Sequence, residues 1–155
     1  MSIDDLRTLM DDFDPASLLP ELDTMIGKME LVMRVAVLIG PIILLVLGLI
    51  YFLAPPKEAN HYFGYRCWFG MGSVDAWRFT QRLAGMVWAV LGLILVIVML
   101  IISTGFGGKE IMDMLWAAGK CVIWEAVLTA LACLGINAIV ALKFDSKGER
   151  RKLDD

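Results

Sequence analysis

The side chains able to do chemistry in this chain are few and scattered. It has one histidine, His61, and three cysteines, Cys67, Cys121 and Cys133, with no CxxC or Cys/His cluster, so no zinc or haem site is expected. On one helix Cys121 and Cys133 would lie about 18 Å apart, too far for a disulfide. No Ser/His/Asp or Cys/His constellation occurs and no acids pair on a membrane-facing surface, so neither catalysis nor a cofactor is expected. The most distinctive chemistry lies in residues 60–77, NHYFGYRCWFGMGSVDAW. There Tyr62, Phe63, Tyr65, Trp68 and Phe69 crowd around Arg66, whose planar fork suits stacking on a ring or holding a carboxylate or lipid phosphate. Gly64, Gly70 and Gly72 allow tight turns and close backbone approach.

The flanks that must position this loop are strongly apolar. Of 155 residues 59% are hydrophobic, and the mean hydropathy of +0.71 lies well above that of soluble domains. Residues 35–54 and 83–104 carry no charge, nor do residues 126–142, a run that extends back to Cys121 if Glu125 is tolerated. Each run is long enough to cross a hydrocarbon core of roughly 30 Å, which predicts an all-α integral membrane protein with three transmembrane helices. No cleaved targeting segment is expected ahead of the first run, and little chain remains for a separate catalytic domain.

Three segments follow: an acidic amphipathic stretch at 1–34, a three-helix membrane unit at 35–142 with spans near 35–54, 83–104 and 121–142, and a basic tail at 143–155. The first 30 residues hold eight acids against Arg7 and Lys28, a balance of −6. Ile3, Leu6, Met10 and Phe13, then Leu19, Leu22, Met25, Ile26, Met29 and Met33, recur at helical spacing on either side of Pro15. A short helix, a break, and a second amphipathic helix from about Pro20 into the first span are predicted. This segment is read as lying on the bilayer or on its own protein, or as a partner-binding lid.

Within the spans, Gly40-Pro41 should bend the first helix, and Ala54-Pro55-Pro56 should end it. Ser73 is placed to cap a helix running to Thr104, with Asp75 in its first turn. Thr104-Gly105-Phe106-Gly107-Gly108 reads as a turn, since it lacks the GKS or GKT of a phosphate loop. Glu125 is the intramembrane acid to watch; five residues past Lys120, it is expected to reach the interface or pair with that lysine. Asn137 is read as an interhelix hydrogen-bonding group. Trp77, Gln81, Gly85 and Trp88 share one face of the second helix, with Gly85 and Ala89 as a small-residue pair. That face should receive the loop, either as a packing seam or as a surface for a ligand or protein.

Lys57, Arg66, Arg78 and Arg82 together with five basic residues of the tail put nine positive charges on one side, against Arg7, Lys28, Arg34, Lys109 and Lys120 on the other. The loop and C-terminus are therefore predicted cytoplasmic and the N-terminus outside.

The motif resembles that of the SdpI-like family, the immunity proteins against a sporulation-delaying toxin. The family pattern is Asn, then Gly-Tyr-Arg-Thr, then Trp after a ten-residue gap, then Asn, then Gly in the following helix. Asn60, Phe63, Gly64, Tyr65, Arg66, Ser73, Trp77 and Gly85 match in order and spacing. Cys67 stands where Thr is usual and Gln81 where Asn is usual. The resemblance, taken to cover residues 35–142, implies a bacterial plasma (inner) membrane protein that protects against or senses a membrane-active peptide toxin. A cytoplasmic regulator is an implied second partner.

From the residues themselves the alternative is a structural or accessory subunit of a larger membrane complex such as a transporter, docked through the acidic segment. Three helices are few for a solute pathway, so that role needs a homo-oligomer or a foreign partner. Membrane lipids are expected around the spans, and no nucleic-acid partner is expected.

Overall fold

The computed structural model describes residues 19–57 and 63–151. Three long helices make up almost all of it: α1, Leu19–Leu53; α2, Val74–Thr104; and α3, Ile111–Lys143. A short 3-10 turn, Phe69–Met71, lies in the loop between α1 and α2, and no β-strand is found among the described residues beyond one isolated bridge, Phe144 to Arg150. At 31 to 35 residues the helices are about 46–52 Å long, so each crosses a bilayer core and extends beyond it. All three are apolar enough to span, and large side chains such as Ile42, Ile43, Leu93, Ile97 and Leu131 are exposed on their outer faces, as lipid-facing residues are. The chain is an all-helical, multi-pass membrane protein.

Local chemistry sets the helix ends. α2 starts where the Ser73 hydroxyl accepts the Ala76 N–H at 3.1 Å, with Asp75 facing the positive end of the helix dipole. It stops at Gly105, whose N–H bonds back to the Ile102 and Ser103 carbonyls. The Gly105–Gly108 turn tucks Phe106, 1% exposed, against Met114 and Ala118 of α3. α1 ends before Pro55 as expected, and Pro41, where a bend is expected, lies inside the helix with its ring fully buried. α1 is also continuous from Leu19 into the span, as the periodicity from Pro20 predicts. The short helix expected at Ile3 to Phe13 lies outside the described residues. Gly107 sits beside Glu30 and Arg34, themselves an ion pair one turn apart, so the first turns of α1 reach past the α2–α3 turn.

α1 and α2 make the tightest contact, because small residues let their backbones touch. A Cβ on Gly85 would fall 2.4 Å from the Phe52 nitrogen, and one on Gly48 would fall 2.2 Å from the Ala89 nitrogen. α3 packs more loosely on both. It is held by two apolar clusters, one around Val37, Met99, Phe106 and Met114, the other around Ala76, Ala84, Ile136 and Phe144. Between them α3 stands off from α1 over an open groove.

The described part of the basic tail, residues 143–151, is folded. After Lys143 the chain turns back on itself: Asp145 Oδ1 accepts the N–H groups of Lys147 and Glu149, and Gly148 takes φ +76°, a left-handed conformation that glycine adopts freely. Phe144 is fully buried against Phe79, with ring centroids 5.5 Å apart, while Lys143 lies 4.0 Å over the same Phe79 ring.

Candidate functional site

The loop is fixed first by its own backbone. Gly64 adopts φ +122°, where a Cβ would sit 2.7 Å from the Trp77 ring, so neither the conformation nor the space admits another residue. This bend lays Tyr65 along α2. There the Gln81 side chain accepts the Tyr65 N–H at 2.8 Å and donates to the Tyr65 carbonyl at 2.7 Å, so one amide satisfies both backbone groups as a neighbouring strand would. Gln81 and Trp77 are fully buried, and the indole N–H of Trp77 donates to the Pro56 carbonyl at 2.9 Å. Trp77, Gln81 and Trp88 therefore receive the loop, whereas Gly85, expected on the same face, gives α1 its close approach.

Tyr65 then reaches across to α3. Its hydroxyl lies 3.0 Å from the Cys133 carbonyl and 2.9 Å from Asn137 Oδ1. One hydroxyl proton serves both acceptors, unless the Asn137 amide is turned so that its NH₂ donates to the tyrosine oxygen. Asn137 thus binds the loop, where an interhelix bond was expected. Burial, followed by the proximity of Cys133 and Cys67, pushes the Tyr65 hydroxyl well above its ordinary value of 10.0 despite the opposing hydrogen bond to Asn137, so it remains a donor at neutral pH. Edge-on contacts extend the assembly: Tyr65 to Trp88 at 5.4 Å, and Phe63 to Tyr51 of α1 at 5.3 Å, with Tyr51 and Trp88 joining the two pairs at 5.8 Å. The loop touches all three helices.

Arg66 points away from the helices. It is exposed, and among the described residues it has no ring, carboxylate or hydrogen-bond partner. The physical reason is alternation along extended chain: Tyr65 and Cys67 turn toward the helices, which sends Arg66 outward. Trp68 is likewise 80% exposed. Asn60 lies outside the described residues. Ser73 has a second role besides capping α2, since its hydroxyl donates to the Gly148 carbonyl at 2.7 Å and so ties the folded C-terminal turn to the loop. Sequence reading missed that tie, although Phe144-Asp145-Ser146-Lys147-Gly148 carries a turn signal, with Asp at the start and Gly at the left-handed position. At this same end Arg78, Arg82 and Arg150, with Asp75, surround a shallow groove beside Phe52 and Phe79.

Glu125 sits apart from the loop. It is 8% exposed, and it forms no pair with Lys120, which is exposed. α3 begins at Ile111, so Glu125 lies almost four turns inside the helix.

A model of the SdpI/YfhL protein family matches residues 57–142, just over half of the chain. The match spans the loop, α2 and α3 and leaves out α1, which the resemblance was expected to include. No curated protein and no solved structure matches the chain.

Proposed function

The chain belongs to the SdpI/YfhL family, and on that premise we propose that it is a bacterial plasma-membrane protein that protects against, or senses, a membrane-active peptide toxin. The observation that carries this reading is the tie from the Tyr65 hydroxyl to Cys133 and Asn137. α3 is the loosely packed helix with a groove along its inner face, and Cys133 lines that groove. A hydrophobic peptide seated against α3 shifts the Cys133 carbonyl, and Tyr65 carries the shift to the loop. The loop in turn displays Arg66 and Trp68 to the membrane surface, where a regulator binds.

The nine basic residues at the loop end favour a cytoplasmic loop and C-terminus, with the N-terminus outside. In intact cells a membrane-impermeant thiol reagent is then expected to leave Trp68→Cys unlabelled until the cells are opened. The function itself is tested by survival. Cells expressing the chain should withstand at least one peptide, from a panel of membrane-active bacterial peptides, that kills cells lacking it. Tyr65→Phe should weaken that protection at equal membrane abundance, and no protection against any peptide overturns the reading.

One observation favours a second role, as an accessory subunit. Leu22, Met25, Ile26 and Met29 are exposed where α1 projects beyond the α2–α3 turn, a surface fit for a partner helix. Mass measurement after extraction in mild detergent separates the two, since a stoichiometric foreign subunit supports the accessory role and a monomer or homodimer the first.

A further inference from the structure

The open groove between α1 and α3 has a volume of about 550 Å³, room for several side chains of a ligand, and its walls are almost wholly apolar. Two buried polar atoms are exceptions. Glu125 Oε1 has no hydrogen-bond partner among the described residues, and neither has Trp88 Nε1, and both residues line this groove. The first belongs to a carboxyl group, an acceptor when ionised, and the second is a donor. The other carboxylate oxygen, Oε2, lies over Gly40 of α1, where a Cβ would stand 2.9 Å away, so glycine there makes room for the acid. The groove opens to the lipid side past Ile43 and Val122, each about half exposed.

Depth narrows the choice of ligand. Glu125 is 14 residues from the start of α3 and 18 from its end, about 21 Å and 27 Å along the axis, in the middle part of the helix. A hard cation such as Ca²⁺ wants six or more oxygens, and the groove offers the carboxylate and the Thr129 hydroxyl. An acid at this depth is costly unless a cationic or hydrogen-bonding partner meets it. A membrane-inserted peptide brings both missing groups, an ammonium for Glu125 and a carbonyl for Trp88.

We propose that this groove is a binding site for an amine-bearing hydrophobic peptide, with its ammonium held by Glu125 and a carbonyl by the Trp88 N–H. The choice of a peptide rests on the toxin reading above; the charge requirement rests on the groove alone.

The test uses the full chain in nanodiscs of neutral phosphatidylcholine and a fluorescent Leu/Ala peptide of roughly 20 residues bearing one central lysine, compared with the same peptide bearing methionine there. The lysine peptide is expected to bind about tenfold tighter, a typical measure of one charge contact. Glu125→Gln should bring the two to near equality, while Ala130→Leu, which fills the groove without touching the acid, should weaken both. If Glu125→Gln fails to fold, decylamine should displace the lysine peptide from the unaltered protein and decanol should not. Equal binding of the two peptides, a lysine preference that survives Glu125→Gln, or displacement by sodium chloride alone overturns the proposal. Cell protection without lysine preference would remove the groove and leave the toxin reading standing. Lysine preference without protection would do the reverse.

Discussion

Gln81 holds Tyr65 by both polar groups of its backbone, accepting the N–H at 2.8 Å and donating to the carbonyl at 2.7 Å from a fully buried position on α2. Replacing it by an apolar side chain leaves two partly buried backbone groups unpaired. Gln81→Leu is therefore expected to destabilise the protein by about 2–4 kcal/mol, and Gln81→Asn by less, as read by chemical unfolding in detergent. A Gln81→Leu protein of unchanged stability would show that the loop does not depend on this clamp.

The Tyr65 hydroxyl gives the fold an alkaline limit. Its folded-state value is pushed above the ordinary 10.0, chiefly by burial, so the protonated form is favoured in the folded protein. In the unfolded chain it loses its proton near pH 10, and from there upward the folded state binds more protons than the unfolded one. Stability should thus be level through neutral pH and fall as pH rises above about 10. Tyr65→Phe should lack that part of the fall and should cost about 1 kcal/mol at neutral pH. Parallel unfolding curves of the two proteins from pH 7 to 11 measure it.

The α1–α2 seam has no room for added atoms. Gly85→Ala would press a methyl into the α1 backbone at Phe52 and should cost about 1–3 kcal/mol. Gly119 and Gly135 on α3 have nothing within 4 Å of a Cβ, so alanine there should be neutral or slightly stabilising through its better helix propensity. Thermal melting of the three variants in one detergent compares them directly.

The C-terminal turn should behave as part of the folded unit. Phe144 is fully buried, and Phe144→Ala is expected to cost about 3 kcal/mol and to release the chain beyond it. Ser73→Ala removes both the α2 cap and the bond to Gly148 and should cost about 1–2 kcal/mol. In both variants trypsin should cut at Arg150 and Arg151 sooner than in the unaltered protein.

Much of the architecture was legible in the sequence, because it depends on local signals. Uncharged runs of bilayer length give the three spans, Ser73 and Asp75 mark the start of α2, Ala54-Pro55-Pro56 ends α1, and the glycines after Thr104 make the turn. The spacing of Trp77, Gln81 and Gly85 identifies the face that meets the loop, since the helical period alone sets which residues align. The contacts that define the site were decided by packing. Tyr65 meets Gln81 across 16 positions, Asn137 across 72, and Ser73 meets Gly148 across 75, separations that no periodicity encodes. Arg66 turned outward because its neighbours turned inward, the tail docked because Phe144 found a buried place, and Glu125 went into a groove because α3 starts at Ile111 and packs loosely on α1. Hydrophobicity and helix period are properties of a segment and can be read from it. A hydrogen-bond partner or a buried charge is a property of two segments brought together, and only the tertiary structure brings them together.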